Sequence, residues 1–222
     1  MKQFFFAALF LVSAVFLAGC ASAPPAAGNQ ESRNEPKNEK RVIPINNPLP
    51  DGITGLIDGF EDDNFWYALG TSKKDDYSID TEVSDEWSTS GENCGVWTFA
   101  NIPEGAAATF LCESLPARDW SGATVLLADI NNTSREPLIM HVEIQSGPSH
   151  AVSRTAPVQL GIGENTNVIF DLSHGLTDES GSSVPFLTDA DDVRAVSFAI
   201  EGKSRAGTVQ ADSIRIVRKP SK

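Results

Sequence analysis

The chain has 222 residues, 30 of them acidic and 17 basic, for a formal net charge of −13 at neutral pH. Such a balance repels phosphate backbones and anionic lipid headgroups, which excludes nucleic acid as a natural partner. Helix-favouring runs of useful length are absent, and Gly, Pro, Ser, Thr and Asn punctuate short apolar stretches throughout, so the sequence predicts an all-β fold in one domain of ordinary size.

The first segment, Met1 to Gly19, carries Lys2 and then runs apolar from Phe4 to Ala18, the pattern of a secretion signal. It closes on Leu17, Ala18, Gly19 and Cys20, which resembles the lipobox of bacterial lipoproteins. The resemblance implies removal of residues 1–19, acylation of Cys20 with palmitate-type chains, and anchoring in a membrane. Ala21 after the cysteine implies, by the same resemblance, the outer membrane of the cell envelope, with the domain on either its periplasmic or its surface side. An uncleaved anchor and plain secretion are the alternatives. Residues 20–52 then read as the lipidated cysteine and a disordered tether, because Ala, Pro, Asn, Glu and Lys leave almost nothing to bury. About thirty flexible residues span roughly 30 Å on average.

The domain is predicted over residues 53–219, with a short tail at 220–222. Ile57 to Glu61 opens it, followed by the acidic run that leads into Phe65, Trp66 and Tyr67. Strands are predicted over Tyr77–Val83, Gly95–Ala100 and Ala107–Cys112. If the loop between the last two is centred on Pro103, Cys94 falls opposite Cys112, and either a disulfide or two buried thiols would follow. The clearest stretch runs from Trp120 to Gly147. Apolar residues occupy both parities from Ala123 to Ile130, as in a strand covered on both faces. Leu138, Met140, Val142 and Ile144 instead alternate with Ile139, His141, Glu143 and Gln145, as in a strand with one wet face. The polar run Asn131–Glu136 between them predicts a hairpin turn. Further strands are predicted at Ala156–Gly161, Thr166–Leu172, Val193–Glu201 and Thr208–Val217, with a long loop over Ser173–Asp189. Nine or ten strands at this spacing predict a two-sheet sandwich.

Five phrases, GFEDDNFW, STSGENCGVWTF, DWSGATVLLADINNTSREP, LGIGENTNVIFDLSHGL and DVRAVSFAIEG followed by GTVQADSIRI, come in an order similar to that of the carbohydrate-binding-module domains of the galactose-binding-like superfamily. The resemblance covers nearly all of Ile57 to Val217 and implies an antiparallel jelly-roll β-sandwich that binds carbohydrate. It also implies a structural calcium ion held by Glu61 and Asp212, with Asp62 as a further ligand, joining the first strand to the last. Ser213 stands where these domains usually carry asparagine. Solvated or backbone-capping carboxylates are the alternative reading of the same residues.

A polysaccharide site needs an exposed ring to cover the apolar face of a sugar, plus polar groups to bond its hydroxyls. Trp97 and Trp120 sit within apolar strands and read as packing residues. Trp87 lies among Ser84, Asp85, Glu86, Ser88, Thr89 and Ser90 and is the candidate platform. His141, Glu143 and Arg154 are the candidate hydroxyl-selecting groups. The three histidines have no metal-ligand spacing, and no nucleophile elbow, phosphate loop or dinucleotide fingerprint occurs. The expectation is therefore a non-catalytic, carbohydrate-binding lipoprotein of the bacterial envelope. The alternatives are a structural or assembly lipoprotein whose sandwich docks an envelope protein partner and, less favoured, a polysaccharide-active enzyme.

Overall fold

The computed structural model describes residues 42–69, 78–202 and 206–219. The signal segment, Cys20, the tether as far as residue 41 and the tail at 220–222 lie outside the described residues, as does the start of the strand predicted from Tyr77.

Among the described residues the chain forms fourteen strands: β1 (Ile53–Asp58), β2 (Trp66–Leu69), β3 (Ser78–Ser84), β4 (Cys94–Ala100), β5 (Ala107–Cys112), β6 (Ala123–Asn132) and β7 (Leu138–Ser146). There follow β8 (Ala151–Arg154), β9 (Val158–Leu160), β10 (Gly163–Asp171), β11 (Leu176–Thr177), β12 (Ser183–Val184), β13 (Val193–Glu201) and β14 (Gly207–Arg218). One sheet has the order β10-β6-β14-β4-β3, and the other β12-β11-β8-β7-β13-β5-β2. The long β14 pairs β4 along its first half and β1 along its second, so those two short strands lie end to end. In the second sheet β9 and β8 share one side of β7 in the same way. All strand pairings are antiparallel, and the two sheets form the expected all-β jelly-roll sandwich.

The period-2 pattern of β7 predicts its orientation correctly. Leu138, Met140, Val142 and Ile144 are buried in the core, while Ile139, His141, Glu143 and Gln145 point outward and are partly covered. Strand β6 is covered on both sides, as its sequence predicts. Leu126, Ala128 and Ile130 enter the core, and on the other face Leu127 is also fully buried.

Two predicted hairpins are not hairpins. Strands β6 and β7 lie in different sheets, with β6 between β10 and β14 and β7 next to β13. Strands β4 and β5 are likewise separated, so the register that would face Cys94 with Cys112 does not exist. Cys94 lies opposite Ser84, whereas Cys112 lies opposite Trp66 and Val196, and both are buried free thiols. Burial pushes the Cys112 thiol up to about 11 and raises that of Cys94 as well. The physical reason is that a short polar loop marks a reversal of direction without saying whether the returning strand pairs beside its predecessor or crosses to the facing sheet.

The ordered fold also begins earlier than residue 53. Ile45 to Asn47 form a strap along β10, the outer strand of its sheet, with a parallel bridge from Asn46 to Thr166. Thr166 N donates to Ile45 O at 2.9 Å, and Asn47 N donates to Thr166 O at 3.2 Å. Paired side-chain bonds join Asn47 and Asn167. This covers backbone groups that an open sheet edge would leave exposed. Gly161 makes the approach possible, since a Cβ there would sit 2.5 Å from Pro44 N.

Asn165 locks strap, turn and strand together. It is fully buried, and its Oδ1 accepts from Ile45 N at 2.9 Å and Gly161 N at 3.1 Å. Its Nδ2 donates to the carbonyls of Ile130, Gly161 and Gly163. Asn165→Ala leaves these buried backbone groups without partners and should lower stability by about 3 kcal/mol, seen as a reduced denaturation midpoint with an unchanged slope.

Candidate functional site

Cross-strand register places one row of side chains across the outward face of the eight-stranded sheet. In order it runs Tyr67, Leu111, Ser197, Glu143, Arg154 and Thr177, on β2, β5, β13, β7, β8 and β11. A second row, Leu69, Thr109, Ala199 and His141, lies beside it. At about 4.8 Å per strand, the line from Tyr67 to Arg154 is about 19 Å long. Outward positions of β13 carry the small residues Ala195, Ser197 and Ala199 and, at its end, Glu201; the three small side chains and the neighbouring Leu111 of β5 are nearly fully buried. A groove of about 640 Å³ opens at one end of the face, lined by Glu104, His141, Glu143, Arg154 and Glu201 together with small residues.

The polar centre is Glu143. Its Oε1 accepts from Arg154 Nε at 2.8 Å and Arg154 Nη2 at 2.5 Å, and His141 Nε2 lies 3.5 Å from the same oxygen. The pairing follows from local sequence: Glu143 and His141 are two residues apart on one strand, and Arg154 is directly opposite Glu143 on the next. The hydrogen bond with His141 holds the Glu143 carboxyl below the usual glutamate range, against the opposing effect of burial and with further help from Arg154. Because Oε1 takes all of these contacts, Oε2 is left without a protein partner among the described residues. The cluster can thus offer a carboxylate oxygen, a fixed guanidinium and an imidazole to ligand hydroxyls.

Tyr67 is the aromatic residue that sequence reasoning missed. Its neighbour Trp66 is buried, with Nε1 donating to Asp58 Oδ2 at 2.7 Å, so the alternation of β2 turns Tyr67 outward with 39% of its surface exposed. Partial burial and a hydrogen bond to the Glu113 carboxylate push its hydroxyl up to about 12, so the ring stays neutral at any physiological pH. The signal was the strand alternation itself, hidden by the unbroken Phe65-Trp66-Tyr67 run.

Trp87 is not on this face. It lies in the β3–β4 loop and is partly buried, and its indole N–H donates to Glu164 Oε1 of β10 at 3.3 Å. It therefore belongs with the six-stranded sheet, and the structure brings His141, Glu143 and Arg154 together without it.

Glu61 and Asp212 hold the same β3–β4 loop. Glu61 Oε1 accepts from the amides of Glu92 and Asn93, both at 2.9 Å. Asp212 is fully buried, and its Oδ2 accepts from Thr89 N at 2.6 Å, Thr89 Oγ1 at 2.9 Å and Ser90 N at 2.9 Å, while Oδ1 accepts from Ser213 N. Calcium takes six to eight oxygens, whereas these carboxylates are surrounded by N–H and O–H donors. Asp62 is exposed, and no cluster of three His, Cys, Asp or Glu able to hold a metal occurs among the described residues. In this arrangement Glu61 and Asp212 are loop-capping carboxylates, the alternative reading of the same residues.

No family model matches the chain, and no curated protein matches its sequence. Its fold is that of solved carbohydrate-binding modules. It is similar to the family 11 carbohydrate-binding module of the cellulosomal cellulase Lic26A-Cel5E of Clostridium thermocellum, at 14% identity and a TM-score of 0.57 over 78% of this chain and 99% of that one. It matches the Clostridium thermocellum family 11 module in complex with a β-1,3-1,4-mixed-linked tetrasaccharide at the same identity and TM-score, over 76% of this chain and 98% of that one. An exo-β-agarase aligns at 13% identity and a TM-score of 0.54, over 76% of this chain but 26% of its own. At these identities the shared property is the jelly-roll sandwich.

The depressed Glu143 carboxyl has a consequence for acid stability. A carboxyl whose value is lower folded than unfolded contributes stability that is present above the unfolded value, about 4.3, and lost as pH falls through the folded one. The advantage of the parent chain over Glu143→Gln in urea unfolding should therefore shrink as pH falls from about 5 to about 3. An advantage that is constant with pH would mean that the charge of Glu143 contributes nothing to folding.

Proposed function

We propose that this chain is a non-catalytic carbohydrate-binding lipoprotein of the bacterial envelope, which captures a glycan on the outward face of its eight-stranded sheet. The observation that carries the reading is the placement, on the fold of carbohydrate-binding modules, of a part-exposed Tyr67 ring and the Glu143–Arg154–His141 cluster on one outward sheet face, the cluster bordering a groove. Stacking of a sugar ring on Tyr67 supplies affinity, because the apolar face of a pyranose matches an aromatic ring. The guanidinium and carboxylate, each fixed by the other, distinguish hydroxyl positions. Pre-paired groups have already lost their side-chain freedom, so binding a hydroxyl requires little further ordering. The 19 Å line accepts an extended oligosaccharide rather than a single sugar.

The envelope location rests on the apolar first segment, which closes on Leu17, Ala18, Gly19 and Cys20. Acyl chains on Cys20 would each contribute about 0.8 kcal/mol per buried methylene, which makes two or more chains a durable anchor.

Two measurements test the reading. In glycan-array or affinity-electrophoresis binding, Tyr67→Ala and Arg154→Ala should each weaken binding about tenfold in a protein that still folds, roughly the worth of one ring contact or one charge-assisted bond. Trp87→Ala should leave glycan binding in place; if it alone abolishes binding while the fold holds, the site is on the other sheet. In cells, Cys20→Ala should move the protein from the membrane to the soluble fraction, and continued membrane fractionation would refute the anchor.

A further inference from the structure

The strap sits in a slot that the β9–β10 turn and β10 supply residue by residue. Gly161 leaves room for Pro44, the buried Asn165 offers Oδ1 to Ile45 N, and Thr166 Oγ1 donates to Asn46 Oδ1 at 2.9 Å. Asn47 and Asn167 each donate a side-chain amide to the other's carbonyl. Four successive residues thus have a seat each, as when an extended peptide is added to the edge of a sheet. Only residues 48–52 join this occupant to the body of the sandwich, where Ile53 pairs with Arg218. They read Pro-Leu-Pro-Asp-Gly and reach at most about 17 Å. The surface around this hinge is apolar, with Leu49, Ile53 and Leu56 exposed over 54%, 58% and 62% of their area. Leu49 and Leu56 border one open concavity of about 600 Å³, together with Thr166 of the slot and Arg215 of β14. Large apolar side chains gathered at one place mark a contact surface rather than scattered exposure.

We propose that the slot on β10 also takes the strap of a second copy of this chain, so that two copies exchange residues 44–47 and bury their hinge leucines between them. The slot contacts in the exchanged pair are those of the single chain, so the strap loses nothing by changing partner. What opposes the exchange is the lost freedom of two separate chains, and what favours it is the burial of Leu49, Ile53 and Leu56. Each copy gives one strap and receives one, so the pair is closed and leaves no open slot for a third. Two copies of net charge −13 repel each other, and the pair therefore forms more readily as salt screens them. The exchange needs neither the lipid anchor nor a glycan.

The test mixes two full-length variants that carry one new cysteine each, Asn46→Cys and Thr166→Cys, at high protein concentration, and oxidises the mixture. Neither residue is in the core, and the two are bridge partners, so a disulfide between them fits the strap in its slot. A single chain carrying both changes should close its disulfide internally when dilute. The parent chain sets the background from Cys20, Cys94 and Cys112. The expected result is a disulfide-linked heterodimer on nonreducing gels, about fivefold or more above the yield from Asn46→Cys mixed with Ser180→Cys, an exposed residue outside the slot. The yield should rise with salt. With Leu49→Ser/Leu56→Ser added to both partners, it should fall about threefold or more, while internal closure of the dilute double variant is unchanged. A yield no greater than that with Ser180→Cys overturns the proposal, because the contact would then be chance collision. So does a double variant that stays open when dilute, since the strap would not then occupy the slot. A yield indifferent to the two leucines also overturns it, because the hinges of the two copies would not meet.

Discussion

The contact on which the sandwich depends is a continuous stack of aromatic rings that passes from one sheet to the other. Trp97 of β4 lies 5.0 Å from Phe110 of β5 with the planes nearly parallel, and 5.2 Å from both Trp66 of β2 and Phe198 of β13. Phe170 of β10 meets Phe198 edge-on at 5.5 Å, and Phe60 closes the other end of the cluster against Trp66 and Trp97. Gly95 makes room for Phe60, whose ring occupies the space a Cβ would take. These rings hold the sheets at the spacing of about 10 Å typical of sandwiches, and each aromatic pair adds about 1 kcal/mol beyond the burial of its area. Trp97 Nε1 is buried with no hydrogen-bond partner among the described residues, which costs about 1–3 kcal/mol. Full burial of so large a ring against four others offsets that loss. With Trp66 fixed inward, Tyr67 has no choice but to face out.

The two outer faces of the sandwich are treated differently. Over the six-stranded sheet, the β3–β4 loop is held by four carboxylates from four parts of the chain. Glu61 takes the amides at 92 and 93, Asp212 takes the amides of Thr89 and Ser90, Asp129 and Asp212 share the single hydroxyl proton of Thr89, whose Oγ1 lies 2.8 and 2.9 Å from them, and Glu164 takes the Trp87 indole. Beneath it, Arg215 bonds Asn167 and Ser213 and lies 3.6 Å from Asp129, which balances part of the charge. Asn167 and Ser213 both adopt positive φ at bulges in β10 and β14, which breaks the regular ladder on either side of Asp129. The polar groups of that face are thus consumed within the protein. On the eight-stranded sheet the Glu143–Arg154–His141 cluster borders an open groove, which is why the proposed binding face is placed there.

Sequence patterning made one half of this visible and hid the other. The alternation of Leu138 to Gln145 identified the wet strand and put His141 and Glu143 on its outer side, and the double-sided burial of β6 was equally plain. Strand partners were not legible, because the polar run Asn131–Glu136 serves a crossing as well as it serves a hairpin, and Cys94 and Cys112 were misplaced for the same reason. Trp87 read as exposed because its neighbours are polar, yet those neighbours are polar in order to bind carboxylates that arrive from distant strands. Glu61 and Asp212, read from the resemblance as joining the first strand to the last, both cap the β3–β4 loop with carboxylate oxygens. The strap at Ile45–Asn47 escaped notice because its hold on β10 is made by backbone and asparagine amides, which leave no hydrophobic pattern.

That strap also sets how the sandwich responds to force. A pull on the chain ahead of residue 42 reaches the bonds between Ile45, Asn47 and Thr166 before it reaches the ladder of β1 with β14. The strap can then peel from β10 as a sacrificial link, lengthening the chain by a few residues while the aromatic stack and the two sheets keep their shape. A chain pulled from ahead of residue 42 would in this way yield at the strap rather than in the sandwich core.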